Sequence, residues 1–249
     1  MQRDTLIAIG SGLGSAVLFL LVLSGNPVAL LLSYFGHLPL FLTGLWQGPK
    51  RLLVAAFAAC SALVLLGGLL PFTVFMVVFA GPAMLLTRMA LVVRKDQNGN
   101  LAFIPSGVVV SAMAVMVATV MIIITGTLTA EGLDIQEFVS QFLSQIYSEM
   151  GVPMTSDVQG LIGMFKIYFP AIAAVSWLLM LFANAAIAQA ILVRAGKNLR
   201  PTPKMASFAL PGWSLFAFAV AGFTVGFADG SLAYVARNVA VVLAVPFLF

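Results

Sequence analysis

The chain has 249 residues, of which 62% are hydrophobic and only 8% are charged, and its mean hydropathy is +1.12. A soluble domain carries about 25% charged residues, so this composition excludes a soluble globular protein and indicates a polytopic membrane protein. The net charge of +4 does not indicate a nucleic-acid-binding protein, because the basic residues separate apolar runs and form no basic face. Cys60 is the only cysteine, which excludes an intramolecular disulfide and a cysteine metal cluster.

Apolar runs near the roughly 20 residues that cross a bilayer recur along the whole chain. Turn and charge signals divide them into eight predicted spans. In chain order these are residues 5–24, 28–46, 52–66, 72–93, 103–129, 165–193, 208–227 and 231–249. The first run is too long for a signal peptide and no cleavage site follows it, so we expect an uncleaved span. The sequence therefore predicts an all-α transmembrane helix bundle of about eight spans, forming a single integral membrane domain over residues 1–249.

A polar segment, residues 131–164, interrupts the apolar pattern between the fifth and sixth spans. Five of the eight acidic residues lie in it: Glu131, Asp134, Glu137, Glu149 and Asp157. Asp134 followed by Glu137 resembles a capping box, and apolar residues then recur at helical spacing until Gly151 and Pro153. This pattern predicts an amphipathic helix over about residues 133–150, on the outer side of the membrane.

The basic residues predict the orientation of the bundle. If the N-terminus is cytoplasmic and every span crosses, ten of the twelve basic residues face the inner side. These ten are Arg3, Lys50, Arg51, Arg88, Arg94, Lys95, Arg194, Lys197, Arg200 and Lys204. Only Lys166 and Arg237 fall toward the outside. Such an excess of Lys and Arg in short inner loops is the usual orientation signal, so we expect a cytoplasmic N-terminus.

His37 is the only histidine and lies inside the second predicted span. A zinc or haem site would need further strong ligands, which the sequence does not offer nearby, so no metal or cofactor is expected. Ionisable residues within spans are costly and often functional, which favours a proton relay or a hydrogen bond to a substrate. The structural alternative is a neutral imidazole that bonds to a neighbouring helix close to Pro39.

Arg237 lies about two turns inside the eighth predicted span. Since an arginine at the centre of a span costs roughly 2.5–3.5 kcal/mol, it should reach outward or face an anion, and Asp229 and Glu131 are the natural partners. Two interpretations follow. The pair of Arg237 and Asp229 is either a structural ion pair at the outer mouth or part of a site for a carboxylate or phosphate group.

Other polar and small residues within the spans have structural and functional interpretations. Asn184 and Gln189 are expected to form hydrogen bonds across helices, and Pro170 suggests a kink in the sixth span. Small residues at four-residue spacing in the first span allow close helix approach: Ala8, Gly12 and Ala16. That face can pack against another helix of this chain or against a partner subunit.

The order of the spans and the outer polar insertion resemble a known family, as does the segment from Asn26-Pro27-Val28 to Trp46-Gln47-Gly48 with its string HLPLFLTGLWQG. It is the YybS-like family of bacterial predicted membrane proteins, a domain of unknown function. This family is distantly similar to the substrate-binding subunits of energy-coupling-factor vitamin transporters. The resemblance implies a multi-pass protein of the bacterial cytoplasmic membrane, with Ala8, Gly12 and Ala16 facing a membrane partner and residues 131–165 closing over a substrate. It also implies a natural chain that continues past Phe249.

Two functional hypotheses follow from the sequence. The first is a transport-associated subunit that binds a small solute through Arg237, Asp229 and His37 and depends on other membrane subunits for energy. The alternative is a non-transporting scaffold or assembly factor that binds proteins or lipid. No Walker A, HExxH or GxSxG motif is present, and no nucleophile–base pair can be assembled, so an enzyme is not expected.

Overall fold

The computed structural model describes residues 2–24, 26–95, 101–203 and 208–249, and most of them are helical. The helices are α1 (Gln2–Leu20), α2 (Pro27–Ser33), α3 (Leu38–Gln47), α4 (Pro49–Gly67), α5 (Leu69–Phe75), α6 (Gly81–Leu91), α7 (Ser106–Ala130), α8 (Ile135–Glu149), α9 (Ser156–Arg194), α10 (Gly212–Phe227) and α11 (Gly230–Ala244). A π-helical segment, Met76–Ala80, joins α5 to α6. The prediction of an all-α polytopic bundle is confirmed.

Seven stretches of the described chain are long and apolar enough to cross a membrane. They are Gln2–Leu20, Pro27–Gln47, Pro49–Gly67, Leu69–Leu91, Ser106–Ala130, Ser156–Arg194 and Gly230–Leu248. The remaining predicted span, 208–227, becomes the 16-residue helix α10, because Pro211 occupies the position before its first turn. A helix of 16 residues is slightly shorter than the roughly 17–25 that cross hydrocarbon.

The third span is longer than the sequence predicts. Helix α4 contains 19 residues, Pro49–Gly67, whereas the prediction covers only 52–66. Pro49 stands at the start of the helix, where a missing backbone N–H carries no penalty, and Lys50 and Arg51 therefore belong to the first turn. At about 1.5 Å per residue, α4 extends roughly 28 Å, enough to span the hydrocarbon core.

The second and fourth spans are interrupted. Between α2 and α3 lies a non-helical turn, Tyr34–His37, which we call the break. Pro39 explains where α3 starts, since its ring would collide with the carbonyl of Phe35 in a continuous helix. In the fourth span, Pro82 in the first turn of α6 has the same effect on Val78, which lies in the π segment.

Helix α9 begins within the polar segment, residues 131–164. Helix α9 runs for 39 residues from Ser156, whereas the sixth span was predicted over 165–193. At about 1.5 Å per residue it extends roughly 58 Å, well beyond a hydrocarbon core of about 30 Å. The amphipathic helix α8 lies within the predicted range, and the Asp134 carboxylate accepts hydrogen bonds from the backbone N–H groups of Gln136 and Glu137.

A short hairpin follows α6 and was not predicted. Strands β1 (Val93–Lys95) and β2 (Leu101–Phe103) pair antiparallel, with Val93 opposite Phe103. Gly25, residues 96–100 and the predicted inner cation Lys204 lie outside the described residues.

The chain divides into two compact units. The first unit comprises residues 1–113 and 179–209, and the second comprises 114–178 and 210–249. Large buried side chains at the core of the first unit include Leu40, Phe41, Leu52, Leu63, Phe75 and Leu181. In the second unit, Ile135 and Val139 of α8 pack with Tyr234 of α11.

Candidate functional site

His37 is the last residue of the break and is fully buried in the first unit. Its Nε2 atom lies 2.8 Å from the carbonyl oxygen of Val78. Because a carbonyl can only accept, Nε2 carries the hydrogen, and Nδ1 of the neutral ring is then an acceptor. The expected bond to a neighbouring helix is therefore present, but it uses only one of the two ring nitrogens.

The acceptor for His37 arises from the irregular backbone of the fourth span. In a continuous α-helix the carbonyl of Val78 would accept from the backbone nitrogen of residue 82. Residue 82 is proline, which has no N–H to donate. His37 supplies a donor to this carbonyl, so the break of the second span and the π segment of the fourth meet at one hydrogen bond.

Aromatic neighbours fix the ring of His37. Its centroid lies 4.3 Å from that of Phe79, with an angle of 17° between the planes, and 6.0 Å from that of Phe41. Within the described part of the chain, His37 Nδ1 has no hydrogen-bond partner although it is buried. Leaving a buried polar atom unpaired costs about 1–3 kcal/mol.

Asn184 of α9 borders the same break. Its Nδ2 donates to the carbonyl oxygens of Tyr34 and Met180, each at 2.8 Å, which fixes the orientation of the amide. The other end, Oδ1, is buried and has no partner among the described residues. His37 is one end of the break, and Asn184 is bonded to Tyr34 at the other end. We therefore call His37 and Asn184 together the break site. It presents two unpaired acceptors.

Further unpaired polar groups follow α3 away from the break. A Cβ atom built on Gly44 would lie 2.6 Å from Thr87 Oγ1, which places the Thr87 side chain directly against α3. Within the described residues, buried side-chain atoms without a partner belong to six residues: His37, Thr43, Gln47, Thr87, Ser111 and Asn184. All six are in the first unit. Native proteins pair the large majority of such atoms, so a concentration of this kind requires a physical explanation.

Arg200 fastens the loop after α9 to the first unit. Its guanidinium donates to the carbonyl oxygens of Ala90 and Ile104 at 3.0 and 2.9 Å, and it lies over the ring of Phe103. Burial lowers the pKa of the Arg200 guanidinium. The Arg200 carbonyl in turn accepts from Gln189 Nε2 at 2.7 Å. The sequence indicated Arg200 only as an inner cation, because backbone carbonyls distant in the chain leave no mark in the residue pattern.

In the second unit, Pro170 interrupts the hydrogen bonding of α9, and α11 supplies the replacements. The Tyr234 hydroxyl donates to the carbonyl of Lys166, four residues before Pro170, at 2.8 Å. Asn238 bridges the next pair, since Oδ1 accepts from Ala171 N–H and Nδ2 donates to the Ile167 carbonyl, each at 3.0 Å. The residue pattern did not identify Asn238 as a candidate for this role. A proline inside one span and a Tyr–Asn pair four residues apart in another are the signal that could have found it.

The ion pair expected for Arg237 is not formed. Arg237 is half-buried on α11, and its side chain makes no hydrogen bond or ion pair with Asp229, Glu131 or any other described residue. Asp229 is exposed at the N-cap of α11, eight residues before Arg237 and thus about 12 Å away along the axis, a distance the two side chains do not bridge. Arg237 and Asp229 belong to the second unit and His37 to the first, so the substrate role of the three residues stays a prediction.

The small-residue face of α1 is covered by a helix of the same chain. Ala8, Gly12 and Ala16 are all buried. A Cβ atom on Gly12 would overlap the carbonyl oxygen of Ala55 in α4, so only glycine permits this close approach. Of the two uses predicted for the face, this structure displays packing within the chain. A metal site is not evident either, since the described residues contain no group of three or more His, Cys, Asp or Glu side chains that could hold an ion.

Comparison with known proteins identifies the family. A family model described as a predicted membrane protein (DUF2232) matches residues 15–249. The match covers most of the chain, so the protein belongs to this family of membrane proteins. No curated protein and no solved structure matches it.

Proposed function

We propose that this protein is a solute-binding subunit of a membrane transport system, with its binding site at the break of the second span. The observation that carries the proposal is the pair of unpaired, buried acceptors at that break, His37 Nδ1 and Asn184 Oδ1. If these two atoms had no function, the protein would be more stable with each of them hydrogen-bonded or replaced by carbon.

The position of the site supports this interpretation. His37 is the eleventh of the 21 residues in the span Pro27–Gln47, so it lies near the middle of that stretch. In many transporters, discontinuous helices form the substrate site near the bilayer midplane, because interrupted backbone exposes polar groups there. The π segment beside His37 is a second interruption of a kind that recurs at functional sites.

Energy for transport would come from partner subunits. The chain has no Walker A motif, and the proposal assigns it no catalytic chemistry. Substrate-binding subunits of energy-coupling-factor transporters, to which the sequence predicts a distant similarity, depend on separate energising subunits in this way. Because Ala8, Gly12 and Ala16 are already buried within the chain, with α4 against Gly12, a partner would have to contact a different face, or the covering helices would have to move.

We also propose a bacterial cytoplasmic-membrane location with the N-terminus in the cytoplasm, on the basis of the cation distribution. Impermeant thiol labelling of intact cells tests this orientation in a Cys60→Ala background. Ser144→Cys should react and Asn198→Cys should stay protected. The opposite pattern would invert the orientation.

The alternative function is a scaffold that binds a protein or lipid through α8. What favours it is the exposure of Phe138 and Phe142 on this helix, at 47% and 44%. Against it, α8 already uses Ile135 and Val139 to pack within the second unit, and Phe142 contacts Phe169 edge to face. A scaffold would also leave the unpaired groups of the break site unexplained.

A thermal-stability screen of the purified full chain against small solutes tests the transport proposal. A solute that binds the folded state raises the melting temperature, and this rise should be lost in His37→Gln. Glutamine can still donate to the Val78 carbonyl through Nε2, so the variant should fold, but its own acceptor Oε1 does not occupy the ring position of Nδ1. A solute whose stabilising effect persists in His37→Gln, or a screen without any stabilising solute, would contradict the proposal.

A further inference from the structure

We infer that the break site takes a small uncharged solute that donates hydrogen bonds, such as an alcohol or an amide. The inference rests on the proposed function and names the chemical class of the ligand. Three features of the first unit carry it: the acceptor character of the unpaired groups, the absence of a buried charge among the described residues, and the aromatic walls.

The unpaired groups at the break both demand a donor. His37 donates through Nε2 to Val78, which leaves the lone pair of Nδ1. Asn184 donates through Nδ2 to Tyr34 and Met180, which leaves Oδ1. A ligand that only accepts hydrogen bonds, such as a carboxylate or a fully ionised phosphate, would place lone pairs against lone pairs here.

No buried charge is available to balance an ion. Throughout the described residues of the first unit, the buried polar side chains are all neutral: Ser15, Ser33, His37, Thr43, Thr87, Ser111 and Asn184. Arg51 and Arg200 are partly buried cations of this unit, and both are already bonded: Arg51 donates to the Thr5 hydroxyl, and Arg200 donates to the Ala90 and Ile104 carbonyls. Burying an unpaired ion in an apolar interior is far more costly than burying an alcohol or amide that finds acceptors.

The neighbours of His37 suit a ligand with an apolar body. Phe79 and Phe41 are stacked with the His37 ring, and Leu40 is completely buried nearby on α3. Small-molecule sites typically combine such apolar walls with a few polar groups that fix the orientation of the ligand. A solute with donors at one edge and an apolar or aromatic remainder fits this combination.

Carbethoxylation by diethylpyrocarbonate tests the inference on the unaltered chain. The reagent acylates a histidine nitrogen that carries a lone pair, and His37 is the only histidine, so the ultraviolet signal of carbethoxyimidazole reports this one residue. The probes are two matched pairs of neutral and ionised compounds: benzamide with benzoate, and glucose with gluconate. His37→Gln gives the background of the assay.

A neutral probe should slow carbethoxylation of His37, and half of the effect should be reached at a concentration at least about fivefold lower than for its ionised partner, the ratio of affinities that one net hydrogen bond supplies. Equal protection by both members of each pair, protection by the anions alone, or protection by neither would overturn the inference about ligand class. The reactivity of His37 without any probe tests the proposed function itself. If His37 reacts only after unfolding in dodecyl sulfate, the site is closed to solutes and both proposals fall.

Discussion

The two units treat a proline in a membrane span in different ways. In both, a side chain from another span donates to the carbonyl oxygen of the residue four positions before the proline: His37 to Val78 in the first unit, and Tyr234 to Lys166 in the second. In the second unit, Asn238 then completes the pairing with both ends of its amide. In the first unit, His37 Nδ1 has no described partner.

This difference separates a structural break from one available for function. A break whose polar groups are all paired stabilises a bent helix and needs nothing further. A break that keeps unpaired acceptors is less stable than it could be, which is typical of sites shaped for binding. The comparison predicts that substitutions at corresponding polar groups of the two units will have opposite effects on stability.

The largest effect is expected for Asn238→Leu, which keeps the approximate volume of the side chain. Ala171 N–H and the Ile167 carbonyl would lose their partners inside an apolar environment. We expect a loss of about 3 kcal/mol in the free energy of unfolding. Dodecyl sulfate titration followed by circular dichroism measures it. A loss below about 0.5 kcal/mol, the size of an ordinary membrane hydrogen bond, would contradict the assigned role.

An intermediate effect is expected from a double-mutant cycle between Pro170 and Tyr234. Tyr234→Phe should cost about 1 kcal/mol in the parent chain, because the Lys166 carbonyl loses its donor. In a Pro170→Ala background the new backbone N–H can take over that carbonyl, so the same substitution should cost little. The coupling energy from the cycle measures this dependence. Equal costs in both backgrounds would show that the hydroxyl does not serve the proline break.

The smallest effect is a gain in stability in the first unit. Thr87→Val removes a buried hydroxyl that has no described partner and should stabilise the fold by up to about 1 kcal/mol. Thr125→Val in the second unit is the matched control, since its buried hydroxyl donates to the Met121 carbonyl at 2.9 Å and its loss should bring no gain. Unfolding curves of both variants decide the point. A stability loss in Thr87→Val as large as that of Thr125→Val would erase the distinction between the units.

Hydropathy predicted the spans because it reports the solvent of each segment, and Asp134 predicted the start of α8 because an N-cap is a local interaction. Hydropathy alone did not locate the start of α9, because the residues from Ser156 form helix before the apolar run begins. The partners of the breaks were out of reach, because His37 and Val78 are 41 positions apart, and Asn238 and Ile167 are 71 apart. His37 could be named as a candidate from its rarity, but its unpaired nitrogen follows only from the packing.

Access to the unpaired groups of the first unit can be measured directly with cysteines in a Cys60→Ala background. Thr87→Cys and Thr125→Cys place a buried thiol in each unit, and only a thiol that meets water ionises and reacts with a small methanethiosulfonate reagent. If the first unit holds a solute site, Thr87→Cys will be labelled in native membranes while Thr125→Cys stays unmodified until the protein is unfolded. Protection of both cysteines, or labelling of Thr125→Cys alone, would contradict this account.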